Sequence, residues 1–285
     1  MVLVSATAFG TLAIFAKVGY ASGLGTQQLL AFRFTLAALG MVALAVLLGQ
    51  NPLHLRRREV ITLLAMGALL YTAQSLAYFL ALRTLPASLV VLISYVYPSL
   101  VAAAGWLFFR RAIAAWHLAA LGASLVGVAM LVGGARLQIT WALVLAVASP
   151  VVYTGYILVG ERVMGTVPAL AASAVIMTGA AIAFSLLAAL DGQLALPRSA
   201  QGWAICVGVA LVPTMLAISL FLAGLTRIGS ARAALLSTWE PVVTVMLAVV
   251  LLGDRLSWIQ VIGGVLVLLA VVAVQLSRPV EAPPG

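Results

Sequence analysis

The amino-acid sequence predicts an all-α membrane protein in which ten transmembrane helices form two inverted five-helix repeats around a central cavity. Three observations lead to that expectation. Of 285 residues, 65% are hydrophobic and 7% charged, with a mean hydropathy of +1.24; soluble globular domains carry about 25% charged residues. The apolar residues gather into ten runs separated by charges, glycines and prolines. A stretch of the second half also repeats one in the first.

A span needs roughly 20 mostly apolar residues, so ten spans leave short connections and little room for a soluble domain. The runs lie at approximately 2–21, 27–49, 59–82, 87–109, 114–134, 139–160, 168–190, 201–223, 229–251 and 257–276. The first starts almost at Met1 without the basic leader of a secretory signal, and is expected to be a retained helix. The absence of a basic residue ahead of it suggests a trimmed start. The proline-rich tail 278–285 is expected to be disordered.

Loop charges test this partition, because cytoplasmic loops carry an excess of Lys and Arg. With the N-terminus inside, the inner segments hold Arg56, Arg57, Arg58, Arg110, Arg111, Arg162, Arg227, Arg232 and Arg278, and the outer ones hold Arg83, Arg136, Arg198 and Arg255. The alternation follows a ten-span count and places both termini in the cytoplasm of a bacterial-type inner membrane. Trp106, Trp116, Trp141, Trp203 and Trp258 fall near helix ends, where amphipathic rings favour the headgroups. Trp239 alone falls near mid-membrane.

A net charge of +9 and a pI near 10.6 would fit nucleic-acid binding if the basic residues shared one wet face. Here they stand singly or in small clusters between apolar runs, so the expected contacts are lipid and a small-molecule substrate, with no nucleic acid. The lone Cys206 forms no intrachain disulfide.

Ser88–Ser124 resembles Ala231–Leu266: Ser94 matches Ser237 and Pro98 matches Pro241, and after one gap Trp116 matches Trp258 and Gly122 matches Gly264. This divides the chain into halves of five helices, 1–135 and 136–277. Five is odd, so the second half must enter the bilayer from the opposite side. Inverted repeats of this kind build carriers whose site lies near the midplane between the halves.

The first half reads Phe9-Gly10, Lys17, Arg33-Phe34 and Ala81-Leu82-Arg83, leading through Pro86-Ala87-Ser88 to Tyr97-Pro98. The second ends with Glu240-Pro241, then Leu252-Gly253-Asp254-Arg255-Leu256, Gln260 and Gly263-Gly264. In these motifs and their order the chain resembles the drug/metabolite transporter superfamily, in particular its ten-helix EamA-type exporters. It departs from them at Phe109-Arg110-Arg111, where a Gly-Glu pair is usual, and at Phe9, where tryptophan is usual. The resemblance implies export of small metabolites.

Ionisable groups deep in a membrane are functional candidates by default, and three qualify: Lys17, Arg33 and Glu240. Glu240 is the one acid deep in a predicted helix. It could titrate protons, receive a substrate ammonium, or form a structural ion pair with Lys17 or Arg33. Lys17 and Arg33 lie nearer the outer face, where long basic side chains could attract an anion or snorkel. Pro98, Pro150 and Pro241 mark expected helix kinks.

In the third run Tyr71, Gln74, Ser75 and Tyr78 fall at spacings of three and four, hence on one helix face. That polar and aromatic face must look at protein or a cavity. Ser94, Tyr95, Tyr97, Tyr153, Tyr156 and Trp239 complete the expected cavity lining. Tyrosine pairs an apolar ring with one hydroxyl, which suits an aromatic or neutral amino acid. The small residues Ala115, Ala119, Ala123 and Gly127 suggest close packing within the chain rather than a dimer seam, so a monomer is expected, with a dimer as the alternative.

An intramembrane enzyme would need clustered acids or a deep His with a carboxylate. The sequence offers one deep acid and no deep His, so neither catalytic residues, a metal nor a cofactor are expected. Sugar phosphates, nucleotide-sugars and drugs are the alternative substrates. A phosphate site would favour convergent Lys and Arg at the midplane, where the sequence places none.

Overall fold

A computed structural model describes residues 1–109, 115–134, 140–163 and 167–276. Arg110, Arg111, Arg136, Arg278 and the predicted tail lie outside them. All regular structure among the described residues is helical, and ten helices are long and apolar enough to cross a membrane. They are α1 (Val2–Ala21), α2 (Thr26–Leu47), α3 (Arg57–Thr84), α4 (Ala87–Phe108), α5 (Trp116–Gly133), α6 (Trp141–Val163), α7 (Ala169–Leu190), α8 (Ala200–Ile228), α9 (Arg232–Leu252) and α10 (Trp258–Leu276).

The eighth helix runs past Gly224, a residue that reads as a stop in the sequence. Val2 of α1 packs where a side chain at 224 would stand, so the glycine marks a close contact rather than an end. Trp141 and Trp258 open α6 and α10 and are the most exposed tryptophans, at 82% and 83%.

The longest packing seams join α2 to α7 and α5 to α10. In the second seam Gly127 and Gly263 face each other, and a Cβ on either would stand 2.7 Å from the other's carbonyl oxygen. Close backbone approach of this kind is how helices gain van der Waals contact in lipid, where no hydrophobic force drives them together. The Ser99 and Ser124 hydroxyls, 2.9 Å apart, add a buried bond between α4 and α5.

Three of the central helices are interrupted. The chain of α1 breaks between Gly10 and Leu12, that of α4 between Ser94 and Tyr97, and that of α9 at Thr238. Pro98 and Pro241 cause the last two breaks, since a proline removes a donor and clashes with the carbonyl four residues back. Those carbonyls belong to Ser94 and Ser237. Their hydroxyls bond in the same way, Ser94 to the Val90 oxygen at 2.8 Å and Ser237 to the Ala233 oxygen at 2.9 Å. Pro150 behaves differently, because α6 continues as one helix on both sides of it.

α3 and α8 each contain a wide π turn, Met66–Tyr71 and Leu211–Leu216. In both, a threonine hydroxyl bonds the carbonyl five residues back: Thr72 to Gly67 at 2.9 Å and Thr214 to Val209 at 2.8 Å. Such bulges replace ladder bonds by side-chain bonds and recur at functional sites.

The two ends of the bundle differ. At one end the α4 amino terminus receives Asp254, whose Oδ2 accepts from the Ser88 backbone N–H at 3.0 Å and from the Ser88 hydroxyl at 2.8 Å. Nearby, the Tyr20 hydroxyl donates to the Phe79 carbonyl at 2.8 Å, and Leu82, Leu85 and Leu89 are buried. Gln27 donates to Asp191 at 2.7 Å, tying α2 to the α7–α8 connection. The opposite end, which carries residues 1 and 276, is where the interior cavity reaches.

Candidate functional site

The cavity has a volume of about 370 Å³ and lies between both halves of the chain. α3 supplies Tyr71, Gln74, Ser75 and Tyr78, the stripe expected from helical spacing. The broken region of α4 supplies Ser94, Tyr95 and Tyr97, and α6 supplies Ser149, Pro150, Tyr153 and Tyr156. Glu240 and Ser237 enter from the break in α9, and Arg33 from α2. Ala234, Ser173 and Gln275 extend the lining towards the end that carries residues 1 and 276. Leu85 and Leu89, towards the other end, are buried outside this lining.

The tyrosines form one continuous aromatic wall. Tyr95 meets Tyr97 edge-on at 6.0 Å, Tyr97 meets Tyr153 at 4.9 Å, Tyr153 stacks on Tyr156 at 5.6 Å, and Tyr156 meets Tyr71 at 5.3 Å. Each ring offers a flat apolar face with a polar tip. Gln74 Nε2 reaches the Ser149 hydroxyl at 3.3 Å, which fastens α3 to α6 within the lining.

Glu240 sits at the α9 break, where its side chain accepts a hydrogen bond from the Tyr95 hydroxyl at 2.9 Å. The same hydroxyl lies 3.0 Å from the Ser237 carbonyl, the group that Pro241 leaves without a ladder partner. One hydroxyl proton thus faces two acceptors. Gly10 of α1 presses on the same turn: its carbonyl accepts from Thr244 at 2.9 Å, and a Cβ on it would stand 3.0 Å from the Glu240 carbonyl.

Arg33 is 3% exposed and lines the cavity, which sets aside the snorkelling expectation. Its Nε donates to Thr214 at 3.0 Å, and its guanidinium carbon stands 4.6 Å from the Phe34 ring centre and 5.4 Å from that of Phe79. Among the described residues no ion pair joins Glu240 to Arg33 or Lys17. Lys17 is half-buried outside the cavity lining, and its nearest acid influence is Asp254.

One further expectation is corrected. Trp239 does not line the cavity: it is 42% exposed and its indole N–H donates to Thr7 at 3.2 Å. Successive residues on a helix point about 100° apart, so the neighbour of an inward Glu240 faces outward. Pro98 and Pro241 shape the breaks beside the cavity without lining it, whereas Pro150 lines it without breaking a helix.

The sequence reading passed over Phe9, Leu12, Ser173, Ser237, Phe221 and Gln275. Ser173 and Gln275 carried a usable signal, as isolated polar residues in long apolar runs. The Gln275 Oε1 is buried and has no hydrogen-bond partner among the described residues, leaving an acceptor for a bound molecule.

The EamA-like transporter family matches residues 1–133 and 140–276, nearly the whole chain. The chain belongs to the EamA-like transporter family. Among its relatives, the uncharacterized transporter YcbK of Bacillus subtilis (strain 168) is 32% identical over 122 residues, which is 40% of this chain and 38% of that protein. The uncharacterized transporter YwfM of the same organism is 32% identical over 123 residues, 43% of this chain and 41% of that one. The match thus spans about two fifths of each relative. A solved crystal structure shares the fold with a TM-score of 0.62 and 21% identity, over 94% of this chain and 96% of that one. As a member of that family with ten helices long and apolar enough to cross a membrane, the chain is a multi-pass membrane protein. The cavity just described, lined by tyrosines from several helices together with Arg33 and Glu240, is its candidate transport site.

Proposed function

We propose that this EamA-like transporter is a secondary carrier that exports neutral or aromatic amino acids across a bacterial-type inner membrane by alternating access. In this reading residues 1–135 and 136–277 are inverted repeats that rock about the cavity, both termini are cytoplasmic, and the working unit is a monomer. The matched breaks at Ser94–Tyr97 and Thr238, and the matched π turns of α3 and α8, support the repeat. With that orientation the cavity extends towards the cytoplasm, the side from which an exporter loads. The direction itself follows from the family resemblance.

The observation that carries the reading is Glu240, a buried acid bonded to Tyr95 within an aromatic cavity at the α9 break. A volume of about 370 Å³ is at the small end of the roughly 300–1,000 Å³ of ligand pockets. It favours a molecule of amino-acid size over a nucleotide-sugar. Glu240 is the acid available to couple movement to protons. When Glu240 is ionised, the Tyr95 proton is contested by Glu240 and the Ser237 carbonyl. When Glu240 is protonated, the carboxyl donates to the Tyr95 oxygen and frees that proton for Ser237. A proton therefore changes the bonding between the two broken helices. Tyr78, Tyr95, Tyr97 and Tyr153 are the other titratable groups facing Glu240.

The test is counterflow of radiolabelled Phe, Tyr, Trp and Thr in proteoliposomes, with and without a pH gradient, for the wild type and Glu240→Gln. Saturable counterflow, with gradient dependence lost in the variant, is the expected result. A folded protein that moves none of these amino acids overturns the substrate assignment.

A further inference from the structure

Glu240 and Arg33 both line the cavity, and among the described residues Arg33 has no partner of opposite sign. Its Nε is held by the Thr214 hydroxyl, a neutral acceptor whose own proton goes to the Val209 carbonyl. Its flat faces rest near Phe34 and Phe79. Neutral contacts orient a guanidinium but leave its charge uncompensated, and a buried charge without a counter-ion is costly. Lys17 differs, lying under the influence of Asp254. The protein thus holds a pre-oriented cation at the cavity and supplies no anion to it among the described residues.

Arginine at this place has a chemical meaning. Nε is engaged by Thr214 and the Tyr71 hydroxyl is a second, neutral hydrogen-bond partner; the guanidinium's remaining N–H groups can grip a planar, two-oxygen acceptor in a fork that lysine cannot form. Glu240 is likewise without a cation among the described residues, and Tyr78 lies within electrostatic reach of both groups. The cavity therefore presents one positive and one negative pole, with the tyrosine wall beside them.

We propose that Arg33 is the carboxylate-binding pole of a two-point site for zwitterions, with Glu240 receiving the ammonium group and the tyrosine wall receiving the apolar body. The π turn of α8 holds Thr214 in position to aim Arg33, which gives that irregularity a role in recognition. This rests on the carrier reading above and specifies which chemical groups its substrate must have.

The test uses the full-length protein and four probes: L-phenylalanine, L-phenylalanine amide, phenethylamine and 3-phenylpropionate. Each competes in counterflow of labelled phenylalanine, and each is assayed separately for protection against thermal unfolding in detergent. The wild type should prefer phenylalanine to its amide and to the two single-charge compounds by at least tenfold. Arg33→Gln should reduce the acid-over-amide preference to about one, with Arg33→Lys retaining part of it, while discrimination of the ammonium group persists. Equal potency of acid and amide in the wild type overturns the proposal, as does a full preference in Arg33→Gln. If Arg33→Gln does not fold, the wild-type series decides alone. Loss of counterflow with thermal protection still selective for phenylalanine would sink the carrier reading and leave the two-point site standing.

Discussion

The Tyr95 hydroxyl stands 2.9 Å from Oε2 of Glu240 and 3.0 Å from the Ser237 carbonyl, so one side chain of α4 bridges the broken turn of α9. Tyr95→Phe removes the donor from a buried carboxylate. Hydrogen bonds in membrane proteins average about 0.6 kcal/mol and bonds to charged groups about 1.5–3 kcal/mol. The expected loss is roughly 1–2 kcal/mol, read by thermal or denaturant unfolding in detergent, and it should shrink to about 0.6 kcal/mol in a Glu240→Gln background, where neutral acceptors remain but the charged one is gone. Equal losses in both backgrounds would contradict the bond's assigned role.

Trp239 adjoins Glu240 in sequence but faces outward, donating to Thr7. Trp239→Phe should leave counterflow within about twofold of the wild type, the change expected when one exposed, weak hydrogen bond is lost. A tenfold drop would place the indole in the transport path after all.

Asp254 closes the end of the bundle remote from residues 1 and 276 by accepting from both the backbone and the hydroxyl of Ser88. Losing a helix cap costs about 0.5–2 kcal/mol. Asp254→Ala should destabilise more than Ser88→Ala, because the second substitution leaves the backbone bond in place. Comparing melting temperatures of the two variants checks this, and the reverse order would refute it.

Gly263 faces Gly127 across the α5–α10 seam at a distance that leaves no room for a methyl group. Gly263→Ala should cost about 1–3 kcal/mol by overpacking. Gly122→Ala in α5 is the control: a Cβ there meets nothing within 4 Å, and replacing a helical glycine by alanine stabilises by about 0.8–1 kcal/mol. Melting temperatures should therefore move in opposite directions.

What the sequence revealed and what it hid follow from the range of each signal. Spans were legible because lipid demands long apolar helices. The face holding Tyr71, Gln74, Ser75 and Tyr78 was legible because helical spacing puts those residues together. Glu240 stood out as an acid where charge is costly. The error at Trp239 came from reading sequence adjacency as spatial adjacency at a helix break. The π turns of α3 and α8 carry little compositional mark beyond Pro213, since Thr72 and Thr214 look like ordinary small polar residues until their bonds are seen. Arg33 could be given a depth from sequence, but its partners Thr214 and Phe79 lie on other helices, so its orientation depended on tertiary packing.

The central claim is that the polar aromatic cavity is the path taken by substrate, and a single cysteine tests it most directly. Ser173 lines the cavity near the end that carries residues 1 and 276, while Cys206 is buried within the core. In proteoliposomes carrying Ser173→Cys in a Cys206→Ser background, a membrane-impermeant thiol reagent should block counterflow when it reaches the side that carries residues 1 and 276. Excess phenylalanine should slow the labelling. Complete modification of the cysteine with counterflow unchanged would contradict the account.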